Sequence, residues 1–379
     1  MIKDEYFMRR ALKLAVRARG RTSPNPMVGA VLVRGHEVIA EAYHSRAGED
    51  HAERKALKMA GNRARGATLY VTLEPCCHFG KTPPCTEIII ASGVSRVVAA
   101  VRDPFPKVSG KGFQILKNAG IEVIEGVLQD QARTLNEAFF TFHEKKRPFV
   151  TLKWAMSLDG RTSTDTGLSK WITGDKARSF AHKLRSWHDA VLVGIRTVLM
   201  DDPRLTVRRP GFKSPQPSCV ILDTRLRTPP DSALFKESHR VFIACGFIRG
   251  KALLQRARRL ESLGAFLLQI PLSGQYLDIH SLLHSLYSEG IQSLLVEGGR
   301  RVAGSFIQAR MVDKFMVFIA PKLLGGLSAA SPVLFQGFGQ VSDAINLDDV
   351  RVTRLIPDIL LEGYVKNRPE CSKKRSRGK

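Results

Sequence analysis

The runs ATLYVTLEP (67–75), RVVAAVRDP (96–104) and IEVIEGV (121–127) have the length and β-branched content of strands, and TEIIIASG (86–93) and GFQILKNAG (112–120) between them have helical apolar spacing. Strands and helices that alternate in this way predict a layered α/β domain. Upstream, EYFMRRALKLAVRA (5–18) has helical spacing, MVGAVLVRGHEVIAEAY (27–43) reads as two strands around a turn, and HAERKALKMAG (51–61) is a helix stopped by Gly61.

The stretch HEKKRPFV (143–150) is polar and places Pro148 just ahead of the strand-like FVTLKWAMS (149–157), which makes it the best domain boundary. A second α/β series follows. DAVLVG (189–194), PSCVILD (217–223), RVFIACG (240–246), AFLLQIP (265–271) and QSLLVEGG (292–299) are apolar strands, with amphipathic stretches such as GKALLQRARRLESLG (250–264) between them, so parallel pairing is expected. At 379 residues the chain is long for one core. The expected division is a first domain over 1–146, a second over 147–366, and a basic tail over 367–379 with no apolar periodicity, read as disordered.

No apolar run approaches the ~20 residues that span a bilayer, so no membrane partner is expected. The N-terminal stretch is broken by charge every few residues, unlike a secretory signal, and a cytoplasmic protein is expected. Cys219, Cys245 and Cys371 lie far from the other three of the six cysteines, unlike the dense framework of a small secreted domain, so reduced thiols are expected. The net charge of +24, from 59 basic and 35 acidic residues, attracts polyanions or phosphorylated ligands. Composition alone leaves both nucleic acid and phosphorylated metabolites open.

Residues 74–85, EPCCHFGKTPPC, hold three cysteines and one histidine. His51-Ala52-Glu53 precedes them by about a helix and a strand. A His-x-Glu followed by Pro-Cys and a further Cys is the layout of zinc deaminases that act on nucleobases. A catalytic zinc takes three protein ligands and leaves one tetrahedral position for water, whose pKa falls towards ~7. His51, Cys76 and Cys85 supply the three. Glu53, kept off the metal, is the proton carrier between water, ring and leaving ammonia. Residues two apart do not share a helix face, so His51 and Glu53 converge only if their helix meets the site end-on. Cys76 is preferred to Cys77 because Pro75 suits the lead into a helix start, where the dipole favours thiolate. Buried thiols beside a surface histidine, a closed structural zinc completed by His78 or Cys77, and a Cys76–Cys85 disulfide are the competing readings. Eight residues separate Cys76 from Cys85, where enzymes acting on nucleic acid or cytidine usually have C-x-x-C.

In the second half, LLVEGGRRVAGSF (294–306) ends a strand at Glu297, offers two glycines for close backbone approach, and opens a helix whose N-terminus suits a phosphate. It matches neither a Walker loop nor the spaced-glycine dinucleotide fingerprint, and a plain strand-to-helix turn reads equally well. Arg185, Arg204 and Arg208 flank Asp201 and Asp202; guanidinium groups grip phosphate bidentately, and surface salt bridging is the alternative.

TSPNPMVGAVLV, HAE, VTLEPCCHFGKTPPC and DPFPKVSGKG resemble the deaminase domain of the bifunctional riboflavin-biosynthesis deaminase-reductase family. VTLKWAMSLDGRTST, WITG and LRSWHDAVLVGIRTVLMDDPRLTVR resemble its reductase domain, so the likeness runs to about Val365. The resemblance implies a cytidine-deaminase-like three-layer domain followed by a dihydrofolate-reductase-like α/β domain, one Zn2+ per chain, and NADPH. It implies metal ligands His51, Cys76 and Cys85 with Glu53 catalytic. Substrate falls to Ser169, Arg185, Leu205, Arg208 and Glu297. The NADPH site falls to Ala155, Trp171, Thr197, Asp201, Thr224, Gly299, Arg300, Arg301, Val302, Ala303, Gly304 and Ser305. Lys153 is a candidate contact near the reacting sugar carbon, or else a strand lysine facing solvent.

Three departures stand out: Cys77 where the family commonly has serine, Phe105 where asparagine is usual, and Trp154 where a small residue is usual. The implied partner is a phosphorylated pyrimidine. Its deamination at C2 comes first, and reduction of its ribosyl group second. No obligatory nucleic acid is expected, and a homo-oligomer is. A zinc-dependent nucleic-acid deaminase is the alternative, and a non-catalytic nucleic-acid binder with a structural zinc is a third reading; the reductase-like half and Glu53 count against them.

Overall fold

A computed structural model describes residues 2–79, 83–237 and 239–366, so the tail read at 367–379 lies outside the described residues. The chain divides into two compact units, Met1–Lys146 and Arg147–Lys379.

The first unit runs α1 (Ile2–Val16), β1 (Gly29–Arg34), β2 (Glu37–Tyr43), α2 (Ala52–Ala60), β3 (Thr68–Val71), α3 (Cys85–Ala91), β4 (Arg96–Ala99), α4 (Lys111–Asn118), β5 (Glu122–Ile124), α5 (Gln129–Leu135) and α6 (Glu137–Lys145). Its sheet has the order β2-β1-β3-β4-β5, antiparallel on both sides of β1 and parallel from β3 onward. Both faces are covered, so β3 and β4 read as continuous apolar runs. Leu69, Val71 and Val97 join one core with α2, α3 and α4, while Tyr70 and Val98 join another with α1, α5 and α6. Successive side chains point to opposite faces, and the result is three layers. The helix α6 continues into the stretch read as a linker, leaving only residues 146–148 to connect it to the next strand.

The second unit runs β6 (Phe149–Ser157), α7 (Asp175–Arg185), β7 (Ala190–Gly194), α8 (Ile195–Asp201), β8 (Ser218–Leu222), β9 (Val241–Cys245), α9 (Lys251–Ser262), β10 (Ala265–Gln269), the hairpin β11 (Leu272–Ser273) and β12 (Tyr276–Leu277), α10 (Ile279–Ser288), β13 (Ser293–Val296), α11 (Arg300–Gln308), β14 (Lys314–Ala320), β15 (Leu347–Leu355) and β16 (Asp358–Val365). The large sheet has the order β10-β9-β8-β7-β13-β6-β14-β16-β15. The expected parallel pairing holds from β10 through β14, and β16 and β15 add antiparallel. One face packs under α10 and α11 and the other under α7, α8 and α9. No helix among the described residues is long and apolar enough to cross a membrane.

Candidate active sites

His51 is the N-cap of α2, in extended conformation (φ −66°, ψ 160°), and Glu53 lies in the first turn. The helix therefore meets the site end-on, and a histidine and a glutamate two residues apart reach one place. Cys85 opens α3 behind its N-cap Pro84. Cys76 opens no helix, contrary to the sequence reading: it lies in irregular chain beyond β3, because the turn after Pro75 must carry the chain across to α3. Cys85 opens the helix instead, but its bond to Cys76 and its burial push its thiol up and not down.

The Nδ1 atom of His51 is 3.5 Å from Cys76 Sγ and 3.3 Å from Cys85 Sγ, and the Cys85 backbone N–H donates to Cys76 Sγ at 3.3 Å. The three ligand atoms lie within 4.8 Å of one another. Ideal Zn–N and Zn–S bonds at the tetrahedral angle put nitrogen and sulfur ~3.6 Å apart, so the donor set fits zinc. Glu53 stands outside this trio. Its side chain is buried, and its Oε2 has no hydrogen-bond partner among the described residues, which suits a carboxylate that must meet a water or substrate proton. Burial pushes the Glu53 carboxyl upward, against the pull of His51. A hydrogen bond from Cys85, aided by His51, outweighs burial and draws the Cys76 thiol down to about 4.

Sequence reasoning gave no role to three further residues at this site. The buried ring of His44 packs edge-on to His51 at 5.3 Å, with its nitrogens 3.2 Å from Asn25 Nδ2 and 3.3 Å from the Asp50 carbonyl. Burial, opposed by the bond to the Asp50 carbonyl and aided by His51, holds His44 below its ordinary range. Glu74 is buried and accepts four backbone N–H groups, from Asp103 (3.1 Å), Gly110 (2.9 Å), Gly112 (3.0 Å) and Phe113 (3.4 Å). That carboxylate ties the chain entering Cys76 to the segment leading into α4. Gly112 has no room for a side chain, since a Cβ there would lie 2.2 Å from the Pro75 carbonyl oxygen. Asp103 is buried, and desolvation, reinforced by Glu74 and Cys76, pushes its carboxyl up to about 7. Phe105, one of the departures, packs its ring against His78 (5.6 Å) and His143 (5.2 Å). Cys77 donates to the Lys107 carbonyl at 3.7 Å.

In the second unit the strand order gathers several of the sequence-predicted residues at the carboxyl ends of neighbouring parallel strands, where open α/β sheets bind ligands. Thr197 and Asp201 are on α8 directly after β7, Thr224 follows β8, and Glu297 follows β13, with Gly299 as N-cap of α11 and residues 300–305 within it. Ala155 and Lys153 belong to the adjoining β6. Gly298 and Gly194 are needed because α11 packs against them: a Cβ on either would meet Val302 at 2.6 or 2.8 Å. A Cβ on Gly299 would meet nothing within 4 Å. The start of the nine-residue α11 is thus open to a phosphate, flanked by exposed Arg300 and Arg301, and the site fits the pyrophosphate of a dinucleotide.

Arg185 and Glu297, each read from the sequence as a separate substrate contact, are bonded to each other. Arg185 also donates to the Thr206 carbonyl at 3.2 Å. Lys153 does not face solvent, as one reading had it: it is partly buried, with Nζ 5.4 Å from the Phe318 ring centre. Burial pulls its pKa down, Glu297 opposes this, and Arg185 adds to it. Leu205 is buried in left-handed backbone (φ 54°). Arg208 is exposed, and its backbone N–H donates to His182 Nδ1 at 3.4 Å. Ser169 and Trp171 are exposed, with Arg178 over the Trp171 ring at 4.5 Å, while Lys170 reaches Asp201 at 3.5 Å. Arg204 forms only a 3.5 Å surface pair with Glu237, the kind of contact worth at most about 1 kcal/mol.

Residues 1–101 match the model of the cytidine and deoxycytidylate deaminase zinc-binding region, and residues 148–361 match that of the RibD C-terminal domain. The riboflavin biosynthesis protein RibD of Bacillus amyloliquefaciens is 43% identical over 367 residues, covering 96% of this chain and 97% of its own. That of Escherichia coli K12 is 40% identical over 371 residues, covering 95% and 99%. Among solved structures, Acinetobacter baumannii RibD (form 1) superposes with a TM-score of 0.87 at 39% identity, covering 96% of this chain and 99% of its own. A Thermotoga maritima diaminohydroxyphosphoribosylaminopyrimidine deaminase/5-amino-6-(5-phosphoribosylamino)uracil reductase superposes with a TM-score of 0.80 at 40% identity, with the same coverage.

Proposed function

The chain belongs to the RibD family of riboflavin-biosynthesis deaminase-reductases, and on that footing we propose which of its residues carry the two reactions. It is a bifunctional enzyme of riboflavin biosynthesis, a zinc-binding deaminase joined to an NADPH-using reductase. Its substrate is 2,5-diamino-6-ribosylamino-4(3H)-pyrimidinone 5′-phosphate, which loses ammonia from C2; the ribosyl group of the product is then reduced to give 5-amino-6-(5-phosphoribitylamino)uracil.

Deamination is assigned to residues 1–146. His51, Cys76 and Cys85 hold the zinc, which when bound acts as the Lewis acid that activates water. Glu53 takes a proton from the attacking water and gives it to the ring nitrogen, then carries the proton of the added hydroxyl to the amine, which leaves as ammonia while the C2 carbonyl forms. Its burial supports that role, because a carboxyl raised above its ordinary range takes up a proton more readily than an exposed glutamate does. Asn25 and His44 shape the wall beside His51.

Reduction is assigned to residues 147–366. NADPH, when bound, supplies the hydride. Gly299 and residues 300–305 receive its phosphates, with Ala155, Trp171, Thr197, Asp201 and Thr224 along the rest of the cofactor. The Arg185–Glu297 pair, with Ser169, Leu205 and Arg208, holds the substrate, and Lys153 stands by the reacting sugar carbon. The enzyme is placed in the cytoplasm, as expected from the sequence. It is further read as a homo-oligomer, which sedimentation equilibrium checks.

The observation that carries this reading is the convergence of one imidazole nitrogen and two sulfurs beside a buried carboxylate with an open oxygen. Ammonia release and the nicotinamide absorbance are followed together with the phosphorylated diaminopyrimidinone and NADPH, for wild type and Glu53→Gln. Wild type gives both signals and the variant neither; NADPH consumption by the variant returns when deaminated intermediate is supplied. NADPH loss without ammonia from wild type overturns the order of steps.

A further inference from the structure

Arg54 follows Glu53 on α2, yet no part of the chemistry above uses it. Its side chain is only 16% exposed, its Nη2 donates to the Pro83 carbonyl at 3.2 Å, and its Nε lies 3.8 Å from Asp50 Oδ1. The two anchors are placed tellingly. Asp50 immediately precedes the ligand His51, and Pro83 lies two residues before the ligand Cys85.

Pro83 and Pro84 have no backbone N–H, so the chain entering α3 has no donors of its own at these two positions, and its carbonyls are what a neighbour can hold. Apart from the contact between the ligand atoms themselves, Cys85 Sγ to His51 Nδ1 at 3.3 Å, three bonds hold this return: Cys85 N–H to Cys76 Sγ, Thr86 N–H to the Cys76 carbonyl at 3.2 Å, and Arg54 to Pro83. The first two join one cysteine segment to the other. Arg54 alone among the three joins the cysteine segment to the helix that bears His51 and Glu53. We infer that Arg54 is a positioning residue for the metal: its planar guanidinium bridges the approaches to His51 and Cys85 and keeps the imidazole and the second thiolate in register, so that it governs how long zinc is retained.

This inference rests on the zinc reading above, and the test separates the two. Full-length zinc-loaded wild type, Arg54→Met, Arg54→Gln and Arg54→Lys are mixed with excess chromophoric chelator, and metal release is timed; thermal unfolding of the first unit, followed by far-UV circular dichroism, serves as the control for folding. Loss of a group that orients metal ligands costs ~10–100-fold in metal affinity. Release is therefore expected to quicken at least about tenfold in Arg54→Met and Arg54→Gln, with partial restoration in Arg54→Lys, which keeps a donor but not the fork. A merely structural arginine would lower thermal stability without moving the release rate of the folded fraction. Release within twofold of wild type from whichever of the Met and Gln variants folds overturns the inference and leaves the zinc reading intact. Wild type without stoichiometric zinc overturns both.

Discussion

Arg185 and Glu297 form a two-pronged pair, Nη2 to Oε2 at 2.7 Å and Nε to Oε1 at 3.3 Å, with side chains only 15% and 8% exposed. It joins the end of α7 to the residue following β13. Burial disfavours the Glu297 carboxylate, but Arg185 and Lys153 outweigh it and hold the group at about 2. A carboxyl depressed on folding contributes stability above its unfolded pKa and loses it as pH falls through its folded one. For Glu297 that window runs from ~4.3, the ordinary glutamate value, down to about 2. Breaking one side of a buried pair costs about 3–5 kcal/mol, because the remaining charge is stranded. Glu297→Gln should lower the unfolding free energy of the second unit, measured by urea titration, by that amount at pH 7, and the gap to wild type should narrow below pH ~4.3. All three tryptophans, Trp154, Trp171 and Trp187, lie in this unit, so their fluorescence reports its unfolding. A pH-independent gap would show that the pair does not control stability.

Glu74 presents two carboxylate oxygens to four backbone N–H groups. A glutamine keeps the shape, but its NH2 faces donors where an acceptor is required. Hydrogen bonds to a charged group are worth about 1.5–3 kcal/mol each, so Glu74→Gln should destabilise the first unit by about 2–4 kcal/mol and slow ammonia release. NADPH oxidation with deaminated intermediate should not change. Thermal unfolding of the first unit, followed by far-UV circular dichroism, and the two activities measured separately check this.

How far the sequence carries is clearest at these sites. His51, Glu53, Cys76 and Cys85 are legible because metal chemistry restricts residue type and order, whatever the intervening chain does. The strands β3, β4, β7, β8, β9, β10 and β13 are legible because their apolar runs are short and bounded by turn residues. β15 is not, since it is exposed along most of its length and alternates too weakly to signal a strand. Glu74 and the Arg185–Glu297 bond were invisible for another reason. A buried carboxylate is recognised by what the fold brings to it, and its partners stand 29 to 39 residues away in one case and 112 in the other.

Lys153 lies in a β6 register that pairs it with Met316 on β14, partly buried beside Glu297 and Arg185. Burial, with Arg185 adding, lowers its pKa while Glu297 resists, and a lysine so placed can give up a proton more readily than a surface one. Replacing a general acid typically costs ~10²–10⁴-fold in rate. Lys153→Met should therefore slow NADPH oxidation on deaminated intermediate by at least about 10²-fold while ammonia release is untouched. An effect confined to KM would make the residue a binding contact only.

Removing the metal should divide the two activities cleanly. The zinc ligands and Glu53 all belong to the first unit, and the residues assigned to cofactor and reduction all belong to the second. Dialysis against a strong chelator should abolish ammonia release and leave NADPH oxidation on deaminated intermediate within about twofold of the untreated enzyme. Adding back Zn2+ should restore the first activity with a stoichiometry of one. Because the ligands must be deprotonated, reloading should release protons and weaken as pH falls. Cys85→Ser should behave like the chelated enzyme whether or not zinc is added, since a hydroxyl at the start of α3 replaces a soft thiolate with a poor zinc ligand. Loss of both activities on chelation would mean that the metal also supports the second unit, and would contradict the assignment of the two reactions to separate parts of the chain.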